Sequence, residues 1–134
     1  MKVDRPRPGA AQALVEFALV LPLLITLSLG VLQLVLYAHA RDVVISSVQE
    51  AARLAAEDGR GIDDGYARAR AMVVAGLGSS TDPLHIDGRS DADVVLVRID
   101  TALRPILPVP FMTALPIHAE AWVARERFRP GGGR

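Results

Sequence analysis

The sequence contains no cysteine, few aromatic residues and no excess of charge of either sign. The lack of cysteine excludes disulfides, thiolate nucleophiles and Cys-ligated metal sites. Lys and Arg total 15 and Asp and Glu total 15, so the net charge is zero, which argues against nucleic acid as a partner bound by bulk electrostatics. Hydrophobic residues reach 51% while aromatics are only 4%. Such a chain is either a packed helical domain or contains a membrane segment.

One long stretch of the chain carries no charged residue. It runs from Phe17 to Ala40, 24 residues, and as a helix it would be about 36 Å long, enough to cross a bilayer core of about 30 Å. A buried core helix is the alternative, but the remaining chain is too small to surround it. Lys2, Arg5 and Arg7 precede the stretch, so the positive-inside rule places the N-terminus in the cytoplasm.

A cleaved secretory signal is an alternative to this membrane anchor. The N-terminal basic residues would form its n-region, and Ala38-His39-Ala40 has the A-x-A form of a cleavage site after Ala40. The apolar stretch is longer than the usual h-region of about 7–15 residues, and an acidic residue such as Glu16 is unusual at its start. The sequence therefore favours an anchor over a secreted protein.

The sequence predicts an α+β fold built on a long helix. Residues 1–11 are interpreted as a cytoplasmic leader, and residues 12–58 as one helix that starts near Ala10–Gln12 and spans the membrane over about 17–40. Beyond the membrane, apolar residues recur at helical spacing and predict a narrow buried stripe, formed by Val44, Val48, Ala51 and Ala55.

Residues 59–129 are predicted to form an extracytoplasmic α+β domain, followed by a flexible tail at 130–134. A second helix is expected from about Asp63 to Gly76. Residues 93–101 and 115–128 alternate with period 2, which predicts two antiparallel strands joined by a proline-rich connection. Their inward faces would hold Val95, Val97 and Ile99, and Ile117, Ala119, Ala121 and Val123. Segment 79–91 is rich in turn-forming residues, with a short strand at Leu84 and Ile86 as an option.

No arrangement typical of an enzyme occurs in the sequence. It lacks a glycine-rich phosphate loop, a G-x-S-x-G elbow and an H-E-x-x-H helix. Asp87, Asp91 and Asp93 depart from the spacing of a calcium loop, so a solvated turn is the simpler interpretation. We therefore expect no catalytic residue, no cofactor and no bound metal. Trp122 and Phe111 are expected to pack in the core or at its rim.

Glu16 is the residue that most needs an explanation. A carboxylate within an apolar helix costs free energy in lipid, about 2.5–3.5 kcal/mol for an ionised Asp at the centre of a spanning helix. Glu16 could remain at the headgroup level, near the positive end of the helix dipole, where the cost is small. Alternatively it pairs with a positive group at similar depth, such as the free α-amino group of a neighbouring chain whose leader has been removed.

The N-terminal half carries a recognisable combination of residues. A short basic leader with Gly9 precedes Glu16-Phe17, and an apolar helix with an early proline, Pro22, follows. The helix then continues to an E-A-A-R pattern at residues 50–53. Over roughly residues 9–57 the sequence resembles the TadE-like proteins of tight-adherence (Flp, type IVc) pilus systems.

The resemblance implies a pseudopilin whose leader is cut on the cytoplasmic side by a prepilin peptidase, with methylation of the new N-terminus as a further expectation. The family places its Glu five residues into the mature chain, where it meets a neighbour's N-terminal amine. Counting back from Glu16 puts the cut between Ala11 and Gln12. These peptidases favour glycine before the cut, so a cut between Gly9 and Ala10 is the alternative, and an uncleaved chain is another.

The function expected from the sequence is that of a minor pseudopilin or pilus-assembly component in the cytoplasmic membrane. Its partners would be membrane lipid, other pilin-like subunits and assembly proteins, and the prepilin peptidase. Two alternatives remain open: a single-pass anchor whose outer domain binds an envelope partner, and a secreted protein cleaved after Ala40.

Overall fold

A computed structural model describes residues 8–106 and 113–125. Two helices, a short 3-10 turn and three strands follow in the order α1 (Pro8–Ala56), α2 (Ile62–Leu77), the turn Gly78–Ser80, β1 (Thr81–Ser90), β2 (Val94–Leu103) and β3 (Leu115–Ala124). The fold is α+β with one antiparallel sheet, as the sequence predicts. Residues 1–7 of the predicted leader, the centre of the proline-rich connection with Phe111, and the predicted tail lie outside the described residues.

The long helix α1 has two parts with different surroundings. From Ala11 to Ser28 every residue is exposed, whereas from Gln33 onward one side of the helix is covered by the sheet and by α2. The predicted stripe is confirmed, since Val44, Val48, Ala51 and Ala55 are at most 1% exposed. The helix begins at Pro8, before the predicted start, because proline suits the first turn of a helix, where no N–H partner is needed.

Helix α2 runs back along α1 and reaches it through small residues. Its buried residues are Gly65, Ala69 and Val73, while Val74 is exposed. A Cβ atom at Gly65 would lie 2.8 Å from the carbonyl oxygen of Ala51. The close approach of the two helices therefore depends on the absence of a side chain at Gly65.

The sheet has three strands in the order β1-β2-β3, with all pairs antiparallel. The prediction that 79–91 is mainly turn-forming is wrong, because Thr81–Ser90 is a full edge strand. Pro83 is accommodated by a register shift between Thr81 and Leu84, as is usual for proline on an edge strand. At Gly88 a Cβ would lie 2.2 Å from the carbonyl oxygen of Leu96, so glycine allows β1 to approach β2 closely there.

The other two strands follow the predicted alternation. Val95, Val97 and Ile99 are fully buried against α1 and α2, and Leu96, Arg98 and Asp100 lie on the opposite face. On β3 the inward residues include Ile117 and Ala121. The strand runs from Leu115 to Ala124, and residues 126–128 of the predicted strand lie outside the described residues. Trp122 is 66% exposed, so its expected place in the core is wrong.

The Gly65 contact generates the first prediction. Gly65→Ala should destabilise the protein by about 1–3 kcal/mol, since the new methyl group meets backbone that cannot move aside and overpacking of a close contact costs this much. The measurement is thermal unfolding of the full-length protein in detergent, followed by circular dichroism. Gly61→Ala is the matched control, because a Cβ at Gly61 has open space around it. Equal melting temperatures for the two variants would show that the helices do not pack through Gly65.

Candidate assembly and membrane-contact site on the long helix

The N-terminal part of α1 is long and apolar enough to cross a membrane. Its large hydrophobic residues are exposed around the whole circumference of the helix, including Leu14, Phe17, Leu19 and Leu23 at 60–73%. A helix that is apolar on all sides and covered by nothing in its own chain needs lipid or other helices around it. This part of α1 is therefore compatible with a single-pass membrane anchor.

Glu16 and Phe17 lie side by side on this exposed part, two turns into α1. The described residues bring no cationic group to the carboxylate of Glu16. The positions on either side of the two candidate cleavage sites, Gly9 with Ala10 and Ala11 with Gln12, all lie in the first two turns of the helix. The first N–H groups of a helix lack partners within it, so fewer hydrogen bonds hold this end of α1 than its middle.

Pro22 interrupts the hydrogen-bond ladder of α1 without ending the helix. Proline lacks an N–H, so the carbonyl oxygen one turn earlier, at Ala18, loses its helical partner. Two hydroxyl groups in the turns after Pro22 each donate to the carbonyl oxygen four residues earlier. The Thr26 hydroxyl donates to the Pro22 carbonyl at 2.8 Å, and the Ser28 hydroxyl donates to the Leu24 carbonyl at 2.8 Å. In lipid such bonds satisfy hydroxyl groups that have no water nearby.

The sheet domain contacts α1 within the uncharged stretch. The sequence does not predict this contact. The backbone N–H of Ile106 donates to Gln33 Oε1 at 2.6 Å, and the Tyr37 hydroxyl donates to the Pro116 carbonyl at 3.1 Å. Ala40 is completely buried. The only available signal was the occurrence of Gln33, a polar amide, among apolar residues. The domain covers one side of the helix from Gln33 onward, which includes the last third of the uncharged stretch.

The outer face of the sheet carries two exposed side-chain pairs that join β2 to β3. Arg98 bonds to Glu120 at 3.1 Å, and His118 Nδ1 lies 2.6 Å from Asp100 Oδ1. The hydrogen bond and charge of Glu120 raise the pKa of Arg98 further above its ordinary value, so this guanidinium stays charged. Exposed pairs of this kind add little stability, because solvent screens the charges. Within residues 8–106 and 113–125, no three His, Asp or Glu side chains converge as a metal site.

Comparison with known proteins gives one match. The family model described as TadE-like protein matches residues 11–53, which is less than half of the chain and covers the greater part of α1. No curated protein and no solved structure matches the chain. The matched segment contains Gln12, Glu16, Phe17 and Pro22. Over its long helix the chain is thus similar to the TadE-like proteins, and the resemblance drawn from the sequence is confirmed for this segment.

Proposed function

We propose that this protein is a minor pseudopilin or assembly component of a tight-adherence (type IVc) pilus system. The observation that carries the proposal is the match to TadE-like proteins over 11–53, because that segment includes the exposed apolar part of α1. The family match supports a component associated with such a pilus. The role of a minor pseudopilin is the finer part of the proposal and rests on the position of Glu16.

The protein acts through binding rather than catalysis in this proposal. Its N-terminus lies in the cytoplasm and its sheet domain lies beyond the cytoplasmic membrane, as the basic residues before α1 indicate. Its partners are membrane lipid, pilin-like subunits and assembly proteins, which pack around the exposed helix, and a prepilin peptidase, which removes the leader. Nucleic acid has no part in it.

Glu16 sets the axial position of the subunit among its neighbours. Its carboxylate lies on the exposed helix, and the described part of its own chain offers it no cation. A neighbour's α-amino group, freed by cleavage before Gln12, would supply the missing positive charge. The pairing offsets the cost of holding a carboxylate in a dry environment, and the pair forms only when two helices have the correct relative height.

A second candidate is a membrane anchor whose outer domain binds an envelope partner. The exposed Trp122, beside Leu96 on the outer face of the sheet, favours it, because an exposed tryptophan is typical of binding surfaces. The third alternative, secretion after cleavage at Ala40, has the fold against it. That cut would fall within a continuous helix and would separate Tyr37 and Ala40 from the core that they help to form.

Replacement of Glu16 tests the assembly role. Glu16→Ala should insert into the membrane normally yet lower the number of surface pili at least about tenfold, the factor that corresponds to roughly 1.4 kcal/mol of subunit affinity. Pili are counted by electron microscopy in cells whose only copy is the variant, and membrane insertion is checked by fractionation. The control is Glu57→Ala, an exposed Glu just after the end of the same helix. Normal piliation with Glu16→Ala would refute the charge pairing.

The N-terminus of the protein isolated from membranes tests the processing. We expect the chain to begin at Gln12 and to be heavier by one methyl group, as determined by N-terminal sequencing and intact mass. A start at Ala10 would move the cut to Gly9 and make Glu16 the seventh residue. A start at Arg41 would identify a secreted domain, and a start at Met1 an uncut anchor, and either would overturn the proposed pairing with a freed amine.

A further inference from the structure

One end of the sheet domain lies beside the membrane-spanning part of α1. This end, called the base here, consists of Arg104–Ile106 after β2 and Thr113–Leu115 before β3. Two hydrogen bonds fix its height on the helix, from Ile106 N–H to Gln33 and from the Tyr37 hydroxyl to Pro116. The opposite end of the domain is the tight turn between β1 and β2, where Asp91 N–H donates to the Val94 carbonyl.

We propose that the base rests in the membrane interface, so that the protein contacts the bilayer with its domain as well as with its helix. The inference depends on the membrane anchoring in the proposed function and is independent of pilus assembly. The occupant of this surface is lipid, at the boundary between the acyl chains and the headgroups.

The length of the helix brings the base to the membrane for either limiting position of the hydrocarbon core. If the hydrocarbon core begins at Ala11, a thickness of about 30 Å is crossed in 20 residues and ends near Val31, with Gln33 about 3 Å beyond it. If the hydrocarbon core instead ends at Ala40, the last residue before Arg41, then Gln33 is about 10 Å inside it. Ile106 is bonded directly to Gln33, so the base reaches the interface in the first case and enters the hydrocarbon in the second.

The composition of the base suits that location. Ile106 is 49% exposed although it is large and apolar, and Thr113 and Ala114 beside it are also exposed. Apart from Arg104 at its edge, the base contains no charged residue, whereas the opposite turn contains Asp91 and Asp93. An uncharged segment next to a spanning helix can enter the interface without the cost of desolvating a charge.

The hydrogen bonding of Gln33 supports the same location. Its Oε1 accepts the Ile106 N–H, which covers a backbone donor that would otherwise face lipid. Its Nε2 is buried and has no hydrogen-bond partner among the described residues. The bond to Oε1 removes the cost of leaving that backbone N–H without a partner where water is scarce.

Tryptophan fluorescence can test the contact because the chain has a single Trp. Trp122 lies seven residues along β3 from Leu115, about 23 Å from the base, and is exposed. The full chain is reconstituted in vesicles of phosphatidylcholine and phosphatidylglycerol whose acyl chains are brominated near the headgroup end, since bromine quenches only nearby indoles. The unmodified protein serves as the control for an indole far from the membrane.

Three variants then place the indole elsewhere in a Trp122→Phe background. Ile106→Trp and Ala114→Trp put it on the two sides of the base. Leu23→Trp puts it in the middle of the apolar helix, and this variant is measured in vesicles whose acyl chains are brominated near their methyl ends. We expect Ile106→Trp and Ala114→Trp to lose roughly half of their emission relative to unbrominated vesicles, because their indoles would lie at the hydrocarbon boundary close to the bromine atoms. Emission from Trp122 should remain nearly unchanged.

The outcomes separate this inference from the proposed function. If Leu23→Trp is quenched while both base variants behave like Trp122, the protein is anchored but its base stays in water, and the inference is overturned. If Leu23→Trp is unquenched as well, the membrane anchoring itself is wrong and the inference falls with it. Because Ile106 and Ala114 are exposed positions on separate segments, loss of folding in one variant leaves the other to decide.

Discussion

The structure depends on the continuity of α1. One helix without a linker provides both the apolar segment that must leave water and the surface on which the sheet and α2 pack. A helix advances about 1.5 Å and turns about 100° per residue, so this continuity fixes how far the domain stands from the membrane and which side of it faces the helix. A flexible linker would have left both free. Residues near the boundary, such as Gln33 and Tyr37, therefore belong to both parts of the molecule.

The sequence predicted those features that repeat with a regular period. The stripe from Val44 to Ala55 and the alternation of Val95, Val97 and Ile99 are local patterns, and burial follows them. Strand β1 was missed because its stability comes from its neighbour. Pro83 and Gly88 suggest turns when taken alone, yet an edge strand tolerates a proline at a register shift, and Gly88 is required by the carbonyl of Leu96. The contact at Gly65 has the same explanation, since its partner Ala51 lies on another helix.

In the candidate site, the sequence identifies Glu16, and the structure identifies the contact at Gln33. Glu16 stands out in the sequence because a carboxylate is unusual in an apolar helix. The structure of one chain adds that Glu16 is exposed and that the described residues around it offer no cation. In the proposed function its partner belongs to another molecule, which the fold of one chain does not specify. The contact between the domain and Gln33 could be found only from the structure. An isolated glutamine in an apolar stretch has many explanations, and the bond to Ile106 joins residues that are 73 positions apart.

The height of the base also bears on the role of Glu16. Glu16 precedes Gln33 by 17 residues, which is about 25 Å of helix. With Gln33 at one boundary of a hydrocarbon core about 30 Å thick, Glu16 lies roughly 5 Å inside the other boundary. At that depth the headgroups no longer surround the carboxylate fully, although the cost is below the value for the centre of the bilayer. If the base rests in the interface as proposed, the contact of the domain with Gln33 holds Glu16 at a depth that costs free energy. A neighbour's amine at the same depth would lower that cost. In the proposed function, the packing of the sheet domain on α1 and the pairing of Glu16 are thus two consequences of the length of one helix.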